Sequence, residues 1–194
     1  MTKRLFDIVA SGIGIIFFFP VLLVIAILIK IQMPGPVLFR QIRAGRFGKP
    51  FIINKFRTMS LDHSGSSISV KGQSRITPLG SVLRKYKLDE LPELWNVIIG
   101  EMSLVGPRPD IPEYTAKLSG EERKILELRP GITGPASLKY VREEELLASV
   151  SDPKEYNDSV IWPDKVRINL DYYYKRSFSM DLHFVFRTLL KWIT

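Results

Sequence analysis

Residues 8–29 form the longest apolar pattern of the chain, a run of 22 positions without a charged side chain. As one straight helix, this run would extend about 33 Å, enough to cross the hydrocarbon core of a bilayer. Pro20 lies in its middle, removes a helical hydrogen bond and predicts a kink, which leaves two arms too short to cross a bilayer alone. Two interpretations stay open, a plain transmembrane anchor and a helix that enters and leaves on one side.

The charges that flank this run favour the second interpretation. Lys3 and Arg4 precede it, and Lys30 follows it together with a strongly basic stretch. Because positive flanks prefer the cytoplasmic side, both ends of the run are predicted to lie there. We therefore predict a re-entrant membrane helix in residues 1–34 and a cytoplasmic domain in residues 35–194.

Shorter patterns follow the apolar run and predict a small α+β domain that is mostly helical. Two β-prone runs, residues 37–40 and 51–56, flank a glycine-containing loop and predict a hairpin. Thr77 and Pro78 predict the start of a helix, and the apolar spacing after Asp89 predicts another that ends at Gly100. Residues 63–73, rich in serine and glycine, predict a mobile loop.

The last predicted helix begins near Ser179 and carries one apolar stripe. Packing of this stripe on the protein's own core and placement in the membrane interface are the two interpretations. The stripe consists of Leu182, Val185, Phe186, Leu189, Leu190 and Ile193.

Composition limits the chemistry that the chain can perform. The sequence contains no cysteine, which excludes disulfides, thiolate metal sites and cysteine nucleophiles. Only two histidines are present, so a histidine-rich metal site is excluded as well. Any metal must be held by oxygen atoms, which favours Mg²⁺ or a similar hard cation.

The net charge of +8 is unevenly distributed along the chain. Residues 35–87 contain eleven lysines and arginines and one acid, whereas residues 88–194 have a net charge of −4. A basic block directly after an apolar segment is typical of a surface that faces anionic lipid or an anionic substrate. On charge alone, nucleic acid is the competing partner.

Asp89 and Glu90 form the most informative acidic pair, because they follow three cations and open a predicted helix. One interpretation is helix capping, since aspartate is a preferred cap and glutamate is favoured in a first turn. The other is chemical: a helix start surrounded by cations can bind phosphate. A carboxylate placed there, with Mg²⁺ to screen the repulsion, can attack phosphorus.

Rigid arginines and one strand lysine complete the candidate set. Arg108 lies between two prolines, which fix its guanidinium for an oxyanion or, alternatively, for a structural salt bridge. Arg129 heads a second rigid turn and is predicted to bind phosphate, with a plain tight loop as the alternative. Lys55 and Arg57 lie two residues apart in a predicted strand and would share one face.

Taken together, these motifs resemble the bacterial sugar transferase family, the monotopic phosphoglycosyl transferases. The resemblance covers nearly the whole chain and includes the apolar segment with its central proline. The motifs are PGPVLFRQ (34–41), KFRTM (55–59), LDELPELWN (88–96), MSLVGPRP (102–109) and RPGITG (129–134).

The resemblance implies a re-entrant helix, a small cytoplasmic catalytic domain with interfacial helices, and a place at the cytoplasmic face of the bacterial inner membrane. It implies transfer of a sugar 1-phosphate from a UDP-sugar to polyprenyl phosphate, with release of UMP and with Mg²⁺ as cofactor. Asp89 matches the nucleophile and a metal ligand, and Glu90 matches its dyad partner. Arg84 and Arg108 match positions that engage phosphate, and Lys55 matches a lysine near the site.

The chain departs from the family pattern at two places. Many members have serine before the central proline, where this chain has Phe19. Residues 135–141 differ from the usual continuation after Gly134, so the identity of the sugar cannot be transferred from relatives.

The implied partners are a UDP-sugar, polyprenyl phosphate and membrane lipid, without nucleic acid. The oligomeric state stays open, and a homo-oligomer is possible. The alternative function is that of a membrane-tethered basic protein that binds anionic lipid or nucleic acid without catalysis.

Overall fold

The computed structural model describes residues 2–60 and 75–193, and for residues 191–193 the backbone only. The loop predicted at residues 63–73 lies outside the described residues. The fold is α+β and mostly helical, as predicted. Its helices are α1 (Thr2–Gln32), α2 (Pro78–Lys85), α3 (Glu93–Ile99), α4 (Pro112–Thr115), α5 (Pro135–Lys139), α6 (Glu143–Ala148), α7 (Pro153–Tyr156), α8 (Trp162–Lys175) and α9 (Phe178–Ile193). Its strands are β1 (Leu38–Ala44), β2 (Pro50–Phe56), β3 (Ser103–Val105) and β4 (Gly131–Thr133).

The predicted hairpin is confirmed. β1 and β2 pair in antiparallel fashion, with Leu38 opposite Phe56 and Ala44 opposite Pro50. β1 extends four residues beyond the run seen in the sequence, because pairing with β2 satisfies the backbone of its polar positions. Phe51 and Ile53 of β2 pack into a core with α3, which fixes the hairpin beside the acidic pair described below.

α1 is one helix of 31 residues with Pro20 inside it. α1 therefore continues through Pro20. By length and composition, α1 is able to cross a membrane. Its outer surface is apolar and exposed along most of its length, which indicates contact with lipid. The exposed side chains are Leu5, Ile8, Val9, Ile13, Ile16, Phe17, Phe19, Val21, Leu23, Val24, Ile27 and Ile31.

Polar bonds attach the first turns of α1 to the globular domain. Lys3 Nζ lies 2.6 Å from Asp181 Oδ2 in α9 and donates to the carbonyl of Val105 at 3.0 Å. Arg4 donates to two carbonyls at the C-terminal end of α3, at 2.6 and 2.8 Å. Asp7 is buried and accepts from the β3 backbone and a β3 hydroxyl. The start of α1 is thus held on β3, α3 and α9.

The last turns of α1 pack on a different part of the same domain. Ile25, Ile29 and Met33 form a core with Phe56 of β2 and Leu83 of α2. Both ends of α1 therefore contact the globular domain.

α9 presents its apolar stripe outward. Leu182, Phe186, Leu189 and Leu190 are exposed, so packing of these residues on the protein's own core is the wrong interpretation. Other positions of α9 hold it on the domain: Asp181 is buried, the hydroxyls of Thr188 and Thr133 lie 2.6 Å apart, and the Phe184 ring packs against that of Tyr172. A helix bound through its polar side and apolar on the outside is typical of a membrane interface.

β3 and β4 form a short parallel pair that the sequence did not predict. Three glycines let the two backbones touch at this pair. A Cβ on Gly106 would lie 2.3 Å from the carbonyl oxygen of Arg129, and one on Gly131 would lie 2.1 Å from the nitrogen of Gly106. The VGPRP and RPGITG motifs are therefore two sides of one backbone contact, which fixes the loop that carries Arg108.

We expect Gly106→Ala to destabilise the protein by about 1–3 kcal/mol or more, because its Cβ collides with rigid backbone. Activity should fall with stability, since the same loop positions Arg108. Gly12→Ala is the control, because a Cβ at Gly12 meets nothing within 4 Å. Thermal unfolding of both variants in detergent checks the prediction, and a Gly106→Ala protein as stable as Gly12→Ala would contradict it.

Candidate active site

The chain turns sharply between α2 and α3, and this turn carries the acidic pair. α2 begins where the sequence predicted, with Thr77 Oγ1 accepting a hydrogen bond from the Gly80 amide. After α2, Lys87 adopts the left-handed conformation at φ 52°, which non-glycine residues rarely do. This reversal directs Asp89 and Glu90 into the protein, where they are 9% and 6% exposed.

The capping interpretation of Asp89 is wrong. Residues 88–90 form a separate 3-10 turn, and α3 begins only at Glu93, after Pro92. Pro92 directly precedes α3, a position that proline tolerates because the first amides of a helix have no partner within it. Asp89 Oδ1 is buried and has no hydrogen-bond partner among residues 2–60 and 75–193. A buried carboxylate oxygen without a partner is costly, so its place needs another explanation.

Glu90 lies between two cations that come from different elements. Its Oε1 accepts from Lys55 Nζ of β2 at 3.0 Å and from Arg108 Nη2, in the loop after β3, at 2.5 Å. Lys55 Nζ also lies 3.1 Å from Oε1 of Glu93, at the start of α3. We call Asp89, Glu90, Glu93, Lys55 and Arg108 the charged cluster.

Burial and mutual charge separate the pKa values of the three acids. Burial, followed by the charge of Glu90, raises the pKa of Asp89 to about 6. Burial also raises the pKa of Glu93 to about 7, in spite of Lys55. Glu90 differs: burial would raise its pKa, but the charges of Arg108 and Lys55 hold that pKa well below its usual value. At neutral pH, Asp89 is therefore ionised, and no cation among residues 2–60 and 75–190 forms an ion pair with it.

Burial lowers the pKa of Lys55, but Glu90 and Glu93 together raise it above the usual value. The charge of Glu90 likewise raises the pKa of Arg108. Both cations therefore stay charged in the cluster. About 39% of the Arg108 side chain is exposed, so its guanidinium is accessible to a ligand while one nitrogen holds Glu90.

Glu93 is the cluster member that sequence reasoning missed. It is 2% exposed, the most deeply buried of the three acids. A signal was present, because Glu93 follows Asp89 and Glu90 at spacings of four and three residues, which bring side chains together in a helical segment. Glu93 lies within the LDELPELWN motif, but the local sequence pattern offered no reason to place a third acid against Lys55.

The remaining predicted residues divide between the site and the scaffold. Arg84 is bonded to Glu144, and its charge contributes to lowering the pKa of Asp89, which places it near the cluster. Arg129 donates to the carbonyl of Gly100 at 2.9 Å, and its charged neighbours in the described chain are Arg4, Arg46 and Asp7 rather than the charged cluster. Arg57 lies past the end of β2, is buried, and donates to two carbonyls just after α1. Lys55 and Arg57 therefore do not serve one site.

Oxygen ligands for a divalent cation are few at this site. No group of three or more acidic or histidine side chains suited to a metal occurs in the described part of the chain. The unpartnered Asp89 Oδ1 is one hard oxygen donor. Mg²⁺ commonly binds through one or two carboxylates together with substrate phosphates and water, so the donor set fits a shared site rather than a closed cage.

A buried carboxylate oxygen that has no partner among the described residues, fixed cations beside it and an exposed apolar helix define a membrane-associated enzyme that acts on an anionic group. The chain belongs to the bacterial sugar transferase family, whose model matches residues 1–194.

Named relatives match almost the full chain. A UDP-glucose:undecaprenyl-phosphate glucose-1-phosphate transferase from Caulobacter vibrioides is 36% identical, covering 100% of this chain and 70% of the relative. A UDP-N-acetylgalactosamine-undecaprenyl-phosphate N-acetylgalactosaminephosphotransferase from Aeromonas hydrophila is also 36% identical, covering 96% of this chain and 42% of the relative. The exopolysaccharide production protein PSS from Rhizobium leguminosarum bv. phaseoli is 37% identical, covering 99% and 95%. Equal identity to enzymes with different sugars leaves the sugar undetermined.

Proposed function

We propose that the chain transfers a sugar 1-phosphate from a UDP-sugar to polyprenyl phosphate through a covalent intermediate on Asp89. The reaction takes place at the cytoplasmic face of the bacterial inner membrane, as the first membrane step of polysaccharide or glycoconjugate synthesis. The observation that supports it most directly is the buried Asp89 Oδ1, which has no partner among the described residues and lies in a cluster with fixed cations. The named relatives support the same reaction class.

In the first half-reaction, an Asp89 oxygen attacks the phosphorus attached to the sugar. The bond from that phosphorus to the bridging oxygen breaks, and UMP leaves with the electron pair. In the second half-reaction, a phosphate oxygen of the polyprenyl carrier attacks the same phosphorus, and the Asp89 carboxylate is released. A pKa of about 6 leaves Asp89 ionised at neutral pH, and burial leaves the attacking oxygen poorly solvated.

The cations and Glu90 have separate roles in this proposal. Arg108 and Arg84 hold phosphate oxygens, because a guanidinium can donate two parallel hydrogen bonds to an oxyanion. Glu90 positions Arg108 and Lys55 through its Oε1. Arg129 bonds to the carbonyl of Gly100 and not to the charged cluster, so its contact with phosphate stays a prediction.

Mg²⁺ is proposed as the cofactor, held by Asp89 together with substrate phosphates. When bound, it supplies positive charge that screens the repulsion between the carboxylate and the diphosphate. The chain's own cations supply the same kind of screening from fixed positions. Incubation with EDTA is expected to abolish UMP release, with recovery on addition of Mg²⁺.

The alternative of a basic binding protein is less well supported. At least five cations of the basic block bond within the protein: Arg43, Arg46, Lys55, Arg57 and Arg84. A surface that holds nucleic acid needs cations that face solvent and phosphate. Simple electrostatic binding also gives no reason for a buried carboxylate beside the cations.

The membrane topology is proposed to be re-entrant, with the ends of α1 on the cytoplasmic side. Pro20→Leu is expected to convert part of the population to a spanning helix, because leucine restores the helical hydrogen bond that proline removes and a straight apolar run of about 33 Å matches a bilayer. Labelling of single cysteines introduced at Thr2 and Ser60 measures the side on which each lies. Labelling from opposite faces in the protein with Pro20 intact would contradict the re-entrant topology.

Arg108→Lys is expected to reduce turnover more than it reduces stability. Lysine keeps the positive charge beside Glu90 but loses the planar fork that holds two phosphate oxygens. UMP release and thermal unfolding of the variant are compared with those of the wild type. Normal turnover at normal stability would remove Arg108 from phosphate binding.

The direct test of the proposed function is incubation of the purified protein with undecaprenyl phosphate and a panel of UDP-sugars. We expect UMP release with at least one sugar, and formation of a diphosphate-linked lipid in equal amount. Because relatives at equal identity act on different sugars, the panel includes UDP-glucose and UDP-N-acetylgalactosamine. Absence of UMP release with every UDP-sugar, from a protein shown to be folded, would contradict the proposal.

A further inference from the structure

Arg84, which must hold a phosphate oxygen under the proposed function, already has an anionic partner in the protein. Its Nη2 bonds to Glu144 Oε1 of α6. The Arg84 and Glu144 side chains are 17% and 34% exposed, so the pair lies at the edge of the site rather than in the core. No sequence pattern indicated this contact, since the two residues are 60 positions apart.

The preceding residue of α6, Glu143, pairs with α8 instead. Both carboxylate oxygens of Glu143 accept from Lys165 Nζ of α8 at 2.7 Å. The charge of Glu143 also helps to raise the pKa of Arg108, an effect led by Glu90. α6 therefore connects α2 to α8 through two adjacent acids, with one acid on Arg84 and the other near Arg108.

We propose that α6 is an acidic strap whose Glu144 carboxylate occupies the phosphate position on Arg84, and that a substrate phosphate displaces it. This inference rests on the proposed function, because that function assigns Arg84 to a phosphate. α6 lies just after residues 135–141, where the chain departs from the family pattern.

The physical basis is the shared geometry of the two anions. A carboxylate and a phosphate both accept paired hydrogen bonds from one guanidinium, so they compete for the same donors. Without substrate, Glu144 compensates an arginine that is followed closely by Lys85 and Lys87. With substrate, the bond to Glu144 must break first, and its strength is subtracted from the affinity for the phosphate.

The test compares the KM values of Glu144→Gln for UDP-sugar and for polyprenyl phosphate. Glutamine keeps the size of the side chain and removes its charge. We expect one of the two KM values to fall about three- to ten-fold, the scale of one partly exposed charged hydrogen bond, while kcat changes less than about two-fold. The substrate whose KM falls is the one whose phosphate uses Arg84.

Asp171→Asn is the matched control. Asp171 pairs with Lys175 one turn along α8, and both side chains are largely exposed. The control removes the same amount of charge at a place away from Arg84, and both KM values should stay unchanged. Calorimetric binding of UDP to the same proteins gives a comparison that does not depend on turnover.

Arg84→Met separates the outcomes. If the strap acts through Arg84, Glu144→Gln added to Arg84→Met has no further effect on either KM. If Arg84→Met raises a KM while Glu144→Gln lowers neither, the strap is overturned and the proposed function stands. If Arg84→Met changes neither KM nor UDP binding, Arg84 does not hold phosphate and the strap is overturned as well. Failure of the wild type to release UMP contradicts the proposed function itself. The affinities of the variants for UDP then test the acidic strap without reference to turnover.

Discussion

Asp89→Asn is expected to lower turnover by at least about three orders of magnitude, because the amide cannot form the covalent bond to phosphorus. Radiolabelled sugar phosphate should remain on the wild-type protein when polyprenyl phosphate is withheld, and should be missing from the variant. The kinetics should be ping-pong, with UMP released before the acceptor binds. Asp171→Asn, which makes the same chemical change on the surface, should retain both label and turnover.

Sequential kinetics together with an absence of trapped label would contradict the covalent role. Asp89 would then remain only as a metal ligand. The stability of the same variant supplies an independent check on the environment of Asp89.

The loss of activity should not be a loss of folding. In the folded protein the pKa of Asp89 is about 6, above its ordinary value of 3.8, so burial disfavours the ionised form. Above pH 6, the wild type bears this full cost, about 3 kcal/mol at 1.4 kcal/mol per unit, and the neutral amide does not. Asp89→Asn should therefore unfold at an equal or higher temperature than the wild type at pH 8.

This difference has a defined pH window. As pH falls through 6, the folded wild type binds a proton at Asp89 and the cost disappears, and near pH 4 the unfolded chain binds it too. The difference in stability should thus shrink between pH 6 and pH 4. Thermal unfolding in EDTA checks it without bound metal. A variant that is less stable than the wild type at pH 8 would show that Asp89 has a structural partner.

Lys55→Met is expected to destabilise the protein by about 3–5 kcal/mol, the scale for removal of one partner from a buried ion pair. Lys55 lies 3.0 and 3.1 Å from carboxylate oxygens of Glu90 and Glu93, so its loss leaves Glu93 without its cation. Lys124→Met is the control, because Lys124 pairs with Glu121 on the surface, where such pairs contribute little. Chemical denaturation of both variants at pH 8 measures the difference.

A double variant identifies the source of this destabilisation. Glu93→Gln removes the charge that Lys55→Met leaves uncompensated, so Lys55→Met with Glu93→Gln should regain part of the lost stability. The single Lys55→Met variant should also recover as pH falls, since Glu93 accepts a proton more readily than an exposed acid. A loss of stability that is equal at all pH values, and is unaffected by Glu93→Gln, would mean that the aliphatic part of the Lys55 side chain, rather than its charge, stabilises the protein.

Elements specified by neighbouring residues could be predicted from the sequence. The β1–β2 hairpin, the Thr77 cap of α2 and the end of α3 at Gly100 each depend on turn residues and apolar spacing within about ten positions. α1 and α9 were visible as apolar patterns for the same reason. The start of α3 was misplaced because aspartate followed by glutamate resembles a helix cap, whereas residues 88–90 form a separate turn and α3 begins only after Pro92.

The family motifs identified candidate residues without showing how they meet. Asp89, Glu90, Lys55 and Arg108 were all found, and the structure brings Lys55 and Arg108 onto the same Glu90 oxygen. Arg129 was found too, but it bonds to a backbone carbonyl elsewhere. A motif specifies residue types and order, and it carries no distance between segments.

By itself, the sequence determined that a long apolar helix lies near the N-terminus. It also determined the hairpin, the excess of cations before an acidic pair, and the family. Tertiary structure alone decided that Asp89 is buried without a partner in the described chain, that Glu93 shares Lys55, and that Glu144 pairs with Arg84. The physical reason is the distance along the chain between the residues that interact. Hydrogen bonds and apolar spacing within an element depend on neighbours in the chain, whereas burial and ion pairing depend on side chains brought together from distant positions, such as the 60 that separate Arg84 from Glu144.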